Sequence, residues 1–271
     1  MELVTITCKE DLELCVYQLK SIHKFVEPCT VNVVINETDV KFARMLLKRQ
    51  TRVMYKHKIK FWSRTAIIKT DKTFKNGWIS QQLLKLLIPL PDDYIVLDCK
   101  DIFLKPTKIT DIAKLHYKNQ PDPSTCKSWG NFYNEANNVL YKTYPIKINP
   151  KEINGIQTPR LMKKSVLEEI GKVWKSKKKF INWWAKLNCS PSEFILYDYI
   201  AYSTNQMLPK TQRFLRNEIV GIWNMDMYNT NQEVNLNDIK DETRILKIHK
   251  RVFNNQEVNK AIRKWLDKRL K

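Results

Sequence analysis

The chain has 271 residues, 43% of them hydrophobic, with eight tryptophans against five glycines, which excludes a disordered or low-complexity polymer and allows one α/β unit with a sizeable core. Forty-eight Lys and Arg against 28 Asp and Glu leave a formal charge of +20; this is either a solvated lysine face or the footprint of an anionic partner, whether nucleic acid, acidic glycan or anionic membrane surface. Six cysteines without a C-x-x-C pair signal neither a zinc site nor a disulfide framework, and the longest apolar stretch, Leu83 to Leu90, is broken by Lys85 and Pro89, so the expectation is a cytoplasmic monomer with no leader or membrane span.

Leu3 to Thr7 predicts a short strand, and Asp11 stands where it can cap a helix on which Leu12, Val16, Leu19, Ile22 and Val26 recur at helical spacing. Val31 to Ile35 predicts a buried strand ending at Asn36 and Glu37, and Val40 to Leu47 a second amphipathic helix. Such alternation predicts an α/β fold, a mostly parallel central sheet with helices on both faces. A basic stretch follows, with Lys48, Arg49, Arg52, Lys56, His57, Lys58, Lys60 and Arg64, then an Asn76-Gly77 turn and a helix from Trp78 to Leu87 that Pro89 and Pro91 end. Spacing puts Trp78, Gln81, Gln82 and Lys85 on one face of that helix and turns Leu83, Leu84, Leu86 and Leu87 to the core. Tyr94 to Leu97 is a strand that delivers Asp98 to its carboxyl end, the edge at which open α/β sheets bind ligands.

Beyond residue 120 the alternation loosens into aromatic helical segments around Trp129 to Tyr144, Trp174 to Leu187 and Glu193 to Thr204. A last helix carries Val258, Ala261, Ile262, Trp265, Leu266 and Leu270 as an apolar stripe, with Lys260, Lys264, Lys268 and Lys271 off it. Ser190-Pro191-Ser192-Glu193 has the spacing of a capping box, with Ser190 at the cap and Glu193 reaching back. A carboxylate at a helix start is equally suited to take a proton in a transfer reaction, and both roles stay open. Two basic clusters neighbour aromatics: Lys56, Lys58, Lys60 and Arg64 with Phe61 and Trp62, and Lys177, Lys178 and Lys179 with Trp174, Phe180, Trp183 and Trp184. Cations for phosphates and flat rings for bases are the ingredients of nucleic-acid binding, while a Trp183-Trp184 pair also suits a core.

Five pieces in order carry a resemblance. They are the run Gly77-Trp78-Ile79-Ser80-Gln81-Gln82-Leu83-Leu84-Lys85-Leu86; the run from Tyr94 through Asp98-Cys99-Lys100-Asp101 to Pro106; Thr158-Pro159; Ser192-Glu193-Phe194 with Tyr197 and Tyr199; and Ile248-His249-Lys250-Arg251. Their order and spacing resemble a poorly characterised family of A-type glycosyltransferases from bacteria and their viruses. The resemblance covers most of the chain and implies a single glycosyltransferase domain over 1–271, with residues 1–115 binding a nucleotide sugar and 116–271 the acceptor. It implies that Trp78, Gln81, Gln82 and Lys85 line the donor pocket, and that Thr5, Thr7, Asp11 and Glu37 hold the base and ribose of the donor, a UDP-sugar in the first instance.

In such enzymes a D-x-D motif at a strand end holds Mn²⁺ or Mg²⁺ against the donor diphosphate, because two adjacent phosphates and a departing nucleotide concentrate negative charge. Here the matching positions read Asp98-Cys99-Lys100, without the second carboxylate. Either Asp101, one place later, stands in for it, or Lys100 itself contacts the diphosphate. His249 sits where the resemblance implies a further metal ligand or a donor to the diphosphate, with Lys250 adding charge; a histidine ending a strand is the plainer reading. Asp98 and Glu193 are the catalytic expectations. The expected acceptor is a hydroxymethylated pyrimidine in bacteriophage DNA, exposed or flipped for reaction. The alternatives are a transferase acting on lipopolysaccharide or capsule, and a non-catalytic nucleic-acid-binding protein on a transferase scaffold.

Overall fold

The strands of the computed structural model are β1 (Glu2–Thr7), β2 (Thr30–Ile35), β3 (Lys58–Ser63), β4 (Tyr94–Asp98), β5 (Asp101–Phe103), β6 (Arg160–Met162), β7 (Ile219–Ile222) and β8 (Ile245–Ile248). The helices are α1 (Leu12–Phe25), α2 (Lys41–Thr51), α3 (Arg64–Ile68), α4 (Gly77–Leu87), α5 (Ile109–Ala113), α6 (Lys127–Leu140), α7 (Lys164–Trp174), α8 (Lys177–Lys186), α9 (Glu193–Ser203) and α10 (Gln256–Leu270). The structure describes residues 1–36, 40–52, 56–69, 74, 77–113, 127–146, 148, 158–207, 219–222, 239, 243–248 and 256–271.

The central sheet runs β3-β2-β1-β4-β6, with the first four strands parallel and β6 antiparallel to β4. Successive side chains of a strand point to opposite faces, so β1, β2 and β4 each feed two cores. Leu3, Val31, Val33, Ile35, Ile95 and Leu97 pack against α1, α2 and α5. Val4, Ile6, Val34, Tyr94 and Val96 pack against α3, α4 and α6 to α9. These strands are accordingly near-continuous apolar runs, as a sheet covered on both faces requires. A smaller sheet, β5-β8-β7, lies beyond the end of β4 and packs with α1 and α10 through Leu14, Tyr17, Ile102, Leu246, Ile262 and Leu266.

From β1 the chain moves through α1 to β2 and then β3 on one side, whereas β4 pairs on the other side of β1. The order reverses between β1 and β4, which opens a crevice outside their carboxyl ends.

Three local expectations are corrected. Lys58–Ser63, expected only as a basic stretch, is the edge strand β3; Lys58 and Lys60 along an open edge discourage pairing with another chain. Asp11 precedes α1 as the last residue of a 3₁₀ turn and makes no side-chain cap; its Oδ2 instead accepts from the Cys8 thiol at 3.2 Å. On α10, Ile262 and Leu266 carry the docking, while Ala261 is exposed. No helix among the described residues is long and apolar enough to cross a membrane.

Candidate functional site

The two-residue period of the strands decides which side chains meet at the carboxyl end of the sheet. Thr5 shares the parity of Leu3 and turns to α1, where its hydroxyl donates to Gln18 Oε1 at 2.6 Å. Gln18 Nε2 in turn donates to the Asp98 carbonyl at 2.5 Å, clamping the end of β4 to the first helix. Asp98 shares the parity of Val96 and turns to the opposite face, toward α4 and α9. There Lys85 Nζ lies 2.9 Å from Asp98 Oδ1 and 2.7 Å from Glu193 Oε1. The Lys85 and Glu193 side chains are each 3% exposed, and that of Asp98 is 20% exposed.

Asp98 Oδ2 faces Lys100 Nζ at 3.3 Å. Asp101, fully buried, accepts from the Asp98 amide at 2.9 Å and presents its other oxygen to Lys247 Nζ at 3.3 Å. Asp101 and Lys247 are direct partners across β5 and β8, so the register of the small sheet creates this pair. Lys247 also donates to the Thr158 carbonyl. Three carboxylates thus interlock with three ammonium groups, and a cluster so deeply buried persists only because each charge is paired.

Gln82 completes the ring. Its amide is satisfied in one orientation, the nitrogen donating to both Glu193 oxygens (2.6 Å to Oε1) and the oxygen accepting from Trp78 Nε1 at 2.8 Å. The expected convergence of Trp78, Gln82 and Lys85 is therefore observed, while Gln81 is half-buried beside them. Asn36, at the end of β2, donates to the Gly77 carbonyl at 2.7 Å and accepts from Ser80 Oγ at 2.8 Å, pinning the start of α4 over the crevice.

Glu193 does not form the expected capping box. Ser192 is the cap residue of α9, its Oγ accepting from the Ile195 amide, and Glu193 is the first helical residue. From there its carboxylate turns to Lys85 and Gln82, because a buried ammonium offers far more than a backbone amide near solvent. Helix α9 is buried on nearly every side from Glu193 to Ala201, and a second buried pair, Arg160 with Asp198, fixes it against β6. The Arg160 guanidinium also lies 5.3 Å over the Phe194 ring.

The electrostatics follow from burial and pairing. Burial would raise the Asp98 carboxyl, but Lys85, Lys100 and Lys247 together hold it well below the usual carboxylate range. Burial pushes Lys85 down, and Asp98 and Glu193 more than reverse this, so its ammonium is stabilised. Asp98 raises Lys100. Burial raises Glu193 despite Lys85, and burial lowers Lys247 despite Asp101.

Of the other expected residues, Thr7 is buried, and its hydroxyl donates to the Cys8 carbonyl at 3.3 Å. Glu37, His249 and Lys250 lie outside the described residues. Among the described residues no group of three or more His, Cys, Asp or Glu is arranged to hold a metal ion.

The basic clusters separate. Lys56 and Lys58 lie at the amino end of β3 and Arg64 just past its carboxyl end, while Lys60 pairs with Glu2 at 3.2 Å. Lys177, Lys178 and Lys179 form the exposed first turn of α8, and Lys177 Nζ reaches the Ile67 carbonyl of α3. The neighbouring rings are packed rather than presented. Trp184 is fully buried, Trp183, Trp174 and Phe180 stack within the same core, and Trp62 donates to Asn32 Oδ1.

Gln18, Asn36 and Lys247 were not singled out from the sequence. Each is a polar residue within or ending an otherwise apolar run, and that mismatch with its neighbours is the signal that marks it.

A protein-family profile described as "Family of unknown function (DUF6492)" matches residues 4–265, so the chain belongs to that family. No curated protein sequence matches it. Among solved structures it is similar to the apo structure of the bifunctional glycosyltransferase WbbM, at 12% identity and a TM-score of 0.48 over 91% of this chain. The chain spans 45% of the length of that structure.

Proposed function

We propose that this member of DUF6492 is a glycosyltransferase that takes a sugar from a nucleotide-diphosphate donor. One observation carries the reading: Asp98, with its retinue of buried charges, stands at the carboxyl end of β4 beside the point where the strand order reverses, the crevice in which open α/β sheets hold nucleotides. Trp78, 40% exposed, and the partly exposed Lys100 and Asp98 offer a flat face and charge at the mouth of that crevice. Glu193, expected as the base, has both oxygens engaged by Lys85 and Gln82; in this arrangement it sets the position of Lys85.

For the acceptor, the observations favour an anionic surface glycan over a pyrimidine in DNA. The lysines of α8 suit any polyanion, but of the rings beside them Trp174, Phe180 and Trp184 are buried in the core. The test is to incubate the protein with a panel of nucleotide sugars and, separately, lipopolysaccharide, capsule, plain DNA and hydroxymethylated DNA. Released nucleotide diphosphate and acceptor mass are then measured. Slow hydrolysis of one nucleotide sugar, accelerated by a glycan, is expected. Added mass on hydroxymethylated DNA alone reverses the acceptor reading, and binding of DNA without turnover of any nucleotide sugar leaves a non-catalytic scaffold.

A further inference from the structure

We propose that the donor diphosphate is held by Lys100, and that no divalent cation takes part. The inference rests on the nucleotide-sugar reading above. A divalent cation needs several oxygen ligands with lone pairs turned toward it at about 2.0 to 2.6 Å. Both Asp98 oxygens are instead turned to ammonium groups, Lys85 at 2.9 Å and Lys100 at 3.3 Å. Asp101 does not replace the carboxylate missing at position 100. It is fully buried, with one oxygen holding the Asp98 amide across the turn and the other facing Lys247. Recruiting it to a metal would break that turn and strand the Lys247 ammonium in the interior.

Charge balance points the same way. Both Asp98 oxygens already face ammonium groups, so a dication there would have to displace Lys85 or Lys100 and would repel whichever remains. Among the three lysines of the cluster Lys100 is the one that solvent reaches, its side chain 25% exposed against 3% for Lys85 and 2% for Lys247. Its backbone is fixed in the turn between β4 and β5, where its carbonyl accepts from the Ile248 amide at 3.2 Å. Lys100 can exchange the Asp98 oxygen for a phosphate oxygen without leaving a bare carboxylate, because Lys85 remains on Asp98. Lysine serves here as a mobile point charge for phosphate.

Calorimetric titration of the whole protein with uridine diphosphate and, separately, guanosine diphosphate tests this. Each is run in the presence of a chelator and again with Mn²⁺. One of the two is expected to bind with affinities that agree within about twofold in the two conditions. Lys100→Ala should weaken that binding by about tenfold to a hundredfold, the worth of a charge-assisted hydrogen bond, while Lys100→Arg retains most of it. Melting of the unliganded variants checks their folding; should Lys100→Ala not fold, the chelator comparison and Lys100→Arg decide. Binding that appears only with Mn²⁺, or unchanged binding by folded Lys100→Ala, overturns the proposal while leaving the glycosyltransferase reading in place. Binding of neither nucleotide in either condition overturns both.

Discussion

Charge is used in two different ways in this molecule. At the carboxyl end of β4, Asp98, Asp101 and Glu193 interlock with Lys85, Lys100 and Lys247, and four of these six side chains are at most 3% exposed. Along β3 and the first turn of α8, Lys58, Lys178 and Lys179 are exposed and Lys60 makes a half-exposed pair with Glu2. Water screens charges of the second kind, so they contribute little to stability and stay available to a partner. Charges of the first kind are held by one another, and removing Lys85 or Lys247 strips the ion pair from a buried carboxylate. The buried cluster is therefore expected to govern folding and donor geometry, and the surface clusters to govern encounter with an anionic acceptor.

The sharpest way to break this contrast is Lys85→Met. It leaves Asp98 and Glu193 facing each other without their shared ammonium, and denaturant titration should show a loss of about 3 to 5 kcal/mol. A loss below about 1 kcal/mol would mean that the cluster is far better hydrated than its burial implies.

Glu193→Gln removes one charge but keeps a hydrogen-bonding partner for Lys85 and Gln82. We expect a stability loss of about 1 to 3 kcal/mol and a fall in turnover of less than about a hundredfold. A fall of two to four orders of magnitude with stability intact would restore Glu193 as the base.

The acid side of the stability curve tests Asp98. Its folded carboxyl titrates below the ordinary range, so its pairing stabilises the protein above the unfolded value of about 3.9 and is lost as the pH falls below it. Below about pH 4 the native chain should lose about 1.4 kcal/mol more per pH unit than Asp98→Asn, until the folded value is reached. Parallel acid limbs for the two proteins would show that Asp98 is not held by its lysines.

Lys178→Ala with Lys179→Ala is the smallest expected effect on folding, within about 0.5 kcal/mol. Its consequence should lie in acceptor binding, as weaker association with the polyanion and a shallower dependence on salt. Unchanged acceptor binding at low salt would detach the α8 cluster from function.

Much of this architecture was legible from periodicity. The first two strand and helix pairs, helix α4 and the delivery of Asp98 all follow from apolar spacing that few other folds satisfy. Edge strand β3 was not read from the sequence, because the alternation of Lys58, Ile59, Lys60 and Phe61 spans only four residues inside a run dense in cations. At Ser190 to Glu193 a local motif pointed to a cap, and the tertiary environment overrode it by offering Lys85 to the carboxylate.

By itself the sequence determined a sheet covered on both faces, because apolar runs such as Tyr94 to Leu97 alternate with amphipathic helices in its first half. It also determined that Asp98 ends a strand and that Trp78, Gln82 and Lys85 share a face, since both follow from fixed local periods. Only the tertiary structure decided what these groups face. Lys85 and Glu193 are 108 residues apart and Asp101 and Lys247 are 146 apart, and no local period carries information over such distances. Strand order, β5–β8 register and the packing of α9 over α4 bring them together. Once they are buried, the need to pair every charge selects the geometry that the site adopts.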